Sequence, residues 1–238
     1  MTSQALTPGI LARRLLGERW LPPIGRFYRG LFVNLGMVAD EMEPLLEGSH
    51  FLDIGAGDGE LENLLLRRNP GLTATLIDLA PNVGAWLSKD VRNRAEVLSG
   101  VSVSDYLCLN RPPPELVILS DVIHHVPPEQ RAPLFEQIRS LLGDRPARLL
   151  IKDVEPGSPR AALCFLADRY ITGDPNVSFV SRSELRALIE SVFPGARCQE
   201  TALFERNPPN YCLAFWISAA RVKEERSAEE PRVGPPVR

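Results

Sequence analysis

The stretch His50-Phe51-Leu52-Asp53-Ile54-Gly55-Ala56-Gly57-Asp58-Gly59, running on through Glu60 to Arg68, constrains this chain more than any other. An apolar run of strand length meets three glycines at alternate positions, and a leucine pattern of helical period follows. Gly55, Gly57 and Gly59 let the backbone bend tightly and let a ligand approach bare main chain. Leu61, Leu64 and Leu65 recur at helical spacing, and Arg67 and Arg68 stand where the helix dipole favours cations. Asn69-Pro70-Gly71 stops the helix. Strand, glycine turn and helix in this order form a ligand turn at the first strand of a parallel sheet.

The charges of the turn indicate which ligand. A dinucleotide turn reads Gly-x-Gly-x-x-Gly and rests a pyrophosphate on the helix N-terminus. Here the third glycine comes one residue early and Glu60 takes the last glycine's place, so Asp58 and Glu60 would face a doubly anionic group. S-adenosylmethionine has no phosphate and carries a sulfonium and an ammonium, which suit an acidic turn. The segment Asp53-x-Gly55-x-Gly57-x-Gly59 resembles the glycine-rich signature of class I methyltransferases. The resemblance implies that Asp53, Gly55, Ala56 and Gly57 line that methyl donor.

At 238 residues the chain can fill one domain with an appended lid. A net charge of −3 with 24% charged residues gives no global nucleic-acid footprint. No apolar run approaches the ~20 residues of a membrane span, and Arg13 and Arg14 interrupt the candidate signal core. Cys108, Cys164, Cys198 and Cys212 form no Cys-x-x-Cys pair. They read as reduced thiols of a cytoplasmic protein, with neither a disulfide frame nor a metal site expected.

Residues 1–47 form an N-terminal helical cap, with helical patterns over 10–20, 27–35 and 37–46 and arginines at 13, 14, 19, 26 and 29. Three readings stay open for it: a layer packed on the sheet edge, a cover for the substrate pocket, or peripheral contact with an anionic membrane surface. The methyltransferase domain is expected over 48–220, with an insertion at 156–180. The tail 221–238, charged and containing Pro231, Pro235 and Pro236, is expected to be disordered.

A second strand over 72–78 ends at Asp78, near the spacing at which an acid meets ribose hydroxyls, with Leu79 beside it. Pro81 is expected to open a helix with Val83, Trp86 and Leu87 inward. The third strand, 95–98, ends at Ser99-Gly100. The resemblance implies an acid after that glycine for the adenine amino group; Val101 stands there instead. Asp105 is the nearest acid if the loop is longer, and otherwise a surface residue.

The fourth strand, 115–120, is isolated by Pro112-Pro113-Pro114 and carries Ser120 at its donor-facing end. The following His124-His125-Val126-Pro127 resembles the same segment of small-molecule methyltransferases. That position lies at the carboxyl end of the sheet, where open α/β sheets bind ligands. His124 or His125, with His125 preferred, acts as general base or orients the acceptor; otherwise the pair packs. Asp153 ends the fifth strand, 148–153, and either faces the acceptor beside a histidine, pairs with Lys152 or caps a turn. In the insertion, Phe165, Asp168, Arg169 and Tyr170 are substrate-lining candidates or ordinary helix residues. Ser181-x-x-Glu184 is a capping box opening a helix with core face Leu185, Leu188, Ile189 and Val192.

Two strands, 196–205 and 211–218, close the fold. Between them Asn207-Pro208-Pro209-Asn210-Tyr211 imitates the Asn-Pro-Pro-Tyr signature of amino-group methyltransferases, but an extra Asn210 interrupts it. It does not follow the fourth strand, so it reads as a hairpin turn and DNA is not the expected partner.

Alternating strands and helices give a doubly wound α/β fold. The resemblance, by motif over 48–155 and by pattern over 181–218, implies a Rossmann-like, mostly parallel seven-stranded sheet. Helices cover both faces, and the last strand is antiparallel. The implied activity is methyl transfer from S-adenosylmethionine to oxygen, nitrogen or carbon of a small-molecule acceptor. The apolar N-terminal layer and aromatic insertion point to a hydrophobic or lipid-like one. The rival readings are a donor-binding protein without turnover, an RNA or protein methyltransferase, and a dinucleotide oxidoreductase, the last disfavoured by Asp58 and Glu60.

Overall fold

A computed structural model describes residues 33–48, 50–172 and 174–218. The expected cap lies mostly, and the tail entirely, outside the described residues.

The chain enters through α1 (Leu35–Met42), whose N-cap Asn34 accepts from the Met37 backbone N–H at 3.2 Å. A side-chain cap of this kind stabilises a helix by about 1 kcal/mol. Val38, Ala39 and Met42 are buried on its inner face, and a 3-10 turn (Glu43–Leu45) leads to β1 (His50–Ile54). There follow α2 (Glu60–Arg68), β2 (Thr73–Asp78), β3 (Ala95–Ser99), α3 (Val103–Cys108), β4 (Leu116–Ser120), α4 (Pro128–Leu142) and β5 (Ala147–Val154). After these come α5 (Pro159–Ala167), α6 (Arg182–Val192), β6 (Arg197–Glu200), the short α7 (Leu203–Arg206) and β7 (Asn210–Ile217).

The strands form one seven-stranded sheet in the order β3-β2-β1-β4-β5-β7-β6. β1 to β5 pair in parallel, and β7 runs antiparallel to both β5 and β6. This is the expected doubly wound architecture. Successive residues of a strand face opposite sides. Leu52, Val117 and Leu119 therefore enter one core with Phe135 and Ile138 of α4, while Phe51, Leu116 and Ile118 enter the other with Leu65 and Leu66 of α2. Burial on both faces explains the unbroken apolar runs of the central strands. β1 sits between β2 and β4, so the connections leave it in opposite directions and open a crevice above its carboxyl end.

Two expectations of local structure fail. No helix forms after Pro81; residues 79–90 are bends, turns and, at Leu87 and Ser88, irregular backbone. Their backbone is drawn to the glycine turn instead: Gly84 N donates to Gly57 O at 3.0 Å and Trp86 N to Asp58 O at 2.8 Å. Val83 and Leu87 are buried as expected, whereas Trp86 is only half-buried. The strand expected over 196–205 stops at Glu200 and gives way to the helical turn α7, whose Leu203 is buried under the sheet. The capping box at Ser181 and Glu184 forms as the sequence indicates.

Candidate active site

The turn after β1 is built by positive φ angles at Gly55 (78°), Gly57 (54°) and Gly59 (80°). Gly55 N and Ala56 N both donate to Ile77 O, at 2.8 and 3.2 Å, which ties the bend to the end of β2. Asp78 completes the fixation: its carboxylate accepts from Gly57 N at 2.8 Å and from Ala80 N at 2.8 Å. Each oxygen keeps a lone pair, so the same group can still accept from a pair of hydroxyls. A Cβ on Gly55 would lie 2.6 Å from Val122 Cγ2, whereas one on Gly57 would meet nothing within 4 Å. The first glycine is a packing necessity; the second leaves open room over the main chain.

Above the carboxyl ends of β1 and β4 lies a cavity of two lobes. One, about 400 Å³, is walled by the turn and by Asp53, Asp58, Glu60, Glu62, Ser120, His124 and Asp168, with apolar Val33, Leu35 and Val154. The other, about 700 Å³, is walled by Leu79, Val101, Ser102, Val122, Gln130 and Leu134. Gly55, Asp78, Asp121 and His125 line both and mark the junction. Among the described residues no lysine or arginine lines the first lobe.

Asp53 is 1% exposed; among the described residues no N–H donates to its carboxylate, and the polar group that meets it is the Glu62 carboxyl. Burial, then the neighbouring Glu62 carboxyl and then Asp78, push its pKa well above the usual carboxylate range. A buried acid beside a second carboxyl on the wall of a cavity fits a cationic ligand group. The ammonium of S-adenosylmethionine would sit over Asp53 and the turn, its ribose hydroxyls on Asp78, and its adenine in the apolar lobe beside Leu79 and Val101. Because a cation favours the ionised carboxylate, donor binding is expected to release a proton and to weaken as pH falls through the raised Asp53 pKa. Calorimetry in two buffers of different ionisation enthalpy reads that proton directly; identical heats would show that Asp53 does not titrate on binding.

His124 and His125 follow β4 on a 3-10 turn (Ile123–His125). Their rings lie 4.1 Å apart, but their partners differ. His124 is 3% exposed; its Nδ1 lies 2.6 Å from Asp153 Oδ1, and its Nε2 lies 3.8 Å from Asp168 Oδ2. Burial lowers its pKa, but Asp153, and behind it Asp121 and Asp168, more than offset this and raise it to about 9. Asp153 is fully buried, and although burial alone would raise its carboxyl, His124 holds it below the usual range. His125 is 40% exposed at its side chain, and its Nδ1 lies 2.6 Å from Asp174 Oδ2. The preferred histidine of the sequence is thus the outer one, and the acid at the end of β5 engages its neighbour. Nor does Asp153 pair with Lys152. That lysine is fully buried and holds Asp121 Oδ1 at 2.5 Å.

Four of the candidate site residues, Asp105, Phe165, Arg169 and Tyr170, line neither lobe. The Asp105 carboxylate caps α3, accepting from Ser102 N at 3.0 Å and Ser102 Oγ at 2.5 Å. The insertion reaches the cavity through Cys164 and Asp168, one helical turn apart, and not through Phe165, Arg169 or Tyr170. Tyr170 is half exposed, Arg169 donates to Pro175 O, and the Phe165 ring meets Phe179 edge-on at 6.1 Å. Asp121, Lys152 and Asp174 were not singled out from the sequence. The left-handed conformation of Asp121 (φ 58°) has no sequence signal beyond its place after β4. Finally, Asp121, His124 and Asp153 bring ligand atoms within 4.8 Å of one another, a grouping that linear spacing does not reveal. A metal ion there would have to displace Lys152 from Asp121 and the imidazole from Asp153.

Solved structures share this arrangement of strands. An O-methyltransferase family protein from Burkholderia thailandensis superposes with a TM-score of 0.61 at 16% identity, over 77% of this chain and 55% of that one. Human N-acetylserotonin methyltransferase in complex with SAM gives 0.57 at 18% identity, over 77% and 50%. A SAM-dependent methyltransferase from Archaeoglobus fulgidus gives 0.58 at 15% identity, over 80% and 98%. The chain therefore spans about half the length of the first two and nearly all of the third. At these identities the likeness is one of fold. The family described as methyltransferase domain matches residues 34–192, from the N-cap of α1 to the last residue of α6, and so takes in the glycine turn, Asp78, both histidines and Asp153. On that match, with the seven-stranded sheet and the acidic turn beneath it, the chain belongs to the methyltransferase domain family.

Proposed function

We propose that the protein transfers the methyl group of S-adenosylmethionine to a hydroxyl of a small, uncharged or cationic organic acceptor, with His124 as general base. The observation that carries this reading is the buried His124–Asp153 pair on the wall of the acidic lobe, 2.6 Å from nitrogen to oxygen. The bound donor supplies an electrophilic methyl on a positively charged sulfur. This chain's residues do the rest. Asp78, Asp53 and the glycine turn fix the donor's two ends, and Val33, Leu35 and Val154 exclude water from the acceptor side. Asp153 orients the His124 ring by accepting from Nδ1–H, which leaves Nε2 to take the acceptor's proton. Asp168, 3.8 Å from Nε2, stands where it can hold the acceptor hydroxyl or a neighbouring polar group. The acids facing the first lobe disfavour carboxylate or phosphate acceptors. Its modest volume, and a lining without lysine or arginine among the described residues, disfavour nucleic acid.

Among the described residues no helix is long and apolar enough to cross a membrane. Cys108, Cys164, Cys198 and Cys212 form no disulfide. A cytoplasmic location and a hydrophobic acceptor remain part of the proposal.

The test is a transfer assay with methyl-labelled donor against a panel of phenols, aliphatic alcohols, amines and carboxylic acids. Labelled product is expected from neutral or cationic hydroxyl compounds. Imidazole must be neutral to act as base, so kcat/KM should rise with pH up to the His124 pKa of about 9. The limb in kcat should lie lower, because the donor's positive charge disfavours imidazolium. Transfer confined to carboxylic acids, or a rate falling with pH across that range, would refute the assignment.

A further inference from the structure

We infer that Asp121, locked in place by the buried Lys152, reads the charge on the donor's sulfur and so favours the methylated donor over its demethylated product. This deepens the methyl-donor reading and rests on it.

The observations concern the junction of the two lobes. If ribose lies on Asp78 and the amino-acid end lies on Asp53 and the turn, the sulfur that joins them must lie between the lobes. Asp121 is a carboxylate that lines both. It stands directly after β4, in a left-handed backbone conformation (φ 58°) that a non-glycine residue adopts at a cost. Two contacts to one neighbour hold it there: Asp121 N donates to Lys152 O at 2.9 Å, and Lys152 Nζ donates to Asp121 Oδ1 at 2.5 Å. Lys152 itself is fully buried in the middle of the sheet, between β4 and β7. A lysine is taken out of water at several kcal/mol unless it is paired, so this one is committed to Asp121. The pair is asymmetric in exposure, with the Asp121 side chain 34% exposed and facing the cavity while the ammonium is wholly enclosed. A fixed anion with one bonded side and one open side is suited to a positive charge that arrives and leaves.

S-adenosylmethionine and S-adenosylhomocysteine differ at the sulfur by one methyl and one positive charge. A carboxylate at the junction therefore binds the first more tightly and eases departure of the second. Lys152 is a positioning residue in this account, since it touches neither ligand and acts through Asp121.

The experiment measures the dissociation constants of both compounds by calorimetry for the wild type, Asp121→Asn, Lys152→Met and the double variant. Asparagine tolerates the left-handed backbone, and the double variant removes both partners of the pair together, which keeps the fold testable if Asp121→Asn, by stranding the buried Lys152, does not fold. Asp121→Asn is expected to lose about tenfold of the preference for the sulfonium compound while binding of the product changes less than about twofold. The double variant should match Asp121→Asn, because a residue that acts only through another adds nothing once that other is gone. An unchanged ratio in Asp121→Asn would overturn the proposal, as would a double variant with a ratio well below it. Failure of the wild type to bind either compound would instead refute the methyl-donor reading on which this one stands.

Discussion

Replacing His124 by alanine is expected to lower single-turnover methyl transfer by about 10²–10⁴-fold, the usual span for loss of a general base. Donor affinity should change by less than about threefold, since the residue meets the acceptor side of the site. The alanine variant also strands the buried Asp153, so a second replacement is needed to separate chemistry from folding. His124→Asn can still donate from its amide toward Asp153 but cannot accept a proton; it should keep the thermal midpoint and lose the rate equally. His125→Ala is expected to cost no more than about tenfold: that ring lies 4.1 Å from the His124 ring, but it is 40% exposed and its Nδ1 is engaged by Asp174. Rapid-quench measurements at saturating donor decide the matter. Should His125→Ala cost as much as His124→Ala, or should His124→Asn retain most of the rate, the general base lies elsewhere.

Gly59→Ala should be strongly destabilising. Residue 59 holds φ 80°, which costs a side-chain-bearing residue about 1–2 kcal/mol. Its new Cβ would lie 2.9 Å from Gly84 Cα, a backbone atom that cannot rotate away. Overpacking of this kind adds about 1–3 kcal/mol. Together they amount to about 3 kcal/mol, or a fall of about 10 °C in Tm for a domain of this size. Gly57→Ala offers the contrast. Its φ is also positive, but nothing lies within 4 Å of the added carbon. That variant should melt within about 5 °C of the wild type yet bind the donor poorly, because the methyl fills ligand space. A Gly59→Ala protein melting within about 2 °C of the wild type would mean that the 79–90 segment moves aside at little cost.

Much of this fold and part of its site could be read from the linear chain. The apolar runs of β1, β4 and β5, the glycine turn and the capping box at Ser181 are local patterns, and local patterns survive folding because they specify hydrogen bonds within a few residues. Asp78 was legible for the same reason, its distance from the turn being set by one helix and one strand. The failure at residues 81–90 is equally instructive. Proline and spaced apolar residues favour a helix, but the glycine turn competes for the same backbone N–H groups and wins them. Phe165, Arg169 and Tyr170 illustrate another limit. An insertion can be assigned to the cavity by its place in the chain, but which face of α5 turns inward depends on how that helix packs, and Cys164 of α5 and Asp168 just after it are the residues that line the cavity.

The amino-acid sequence by itself determined the order of strands and helices, the acidic glycine turn and the presence of imidazoles at the end of the fourth strand. Which acid meets which base was decided only in three dimensions. Lys152 and Asp153 are adjacent in the chain and of opposite charge, yet successive side chains of a strand point to opposite faces, so they cannot pair across β5. Parallel pairing of β4 with β5 brings Asp121 to Lys152, 31 residues away, and His124 to Asp153, 29 residues away. Sheet geometry, and not nearness along the chain, sorted the four charges into two pairs.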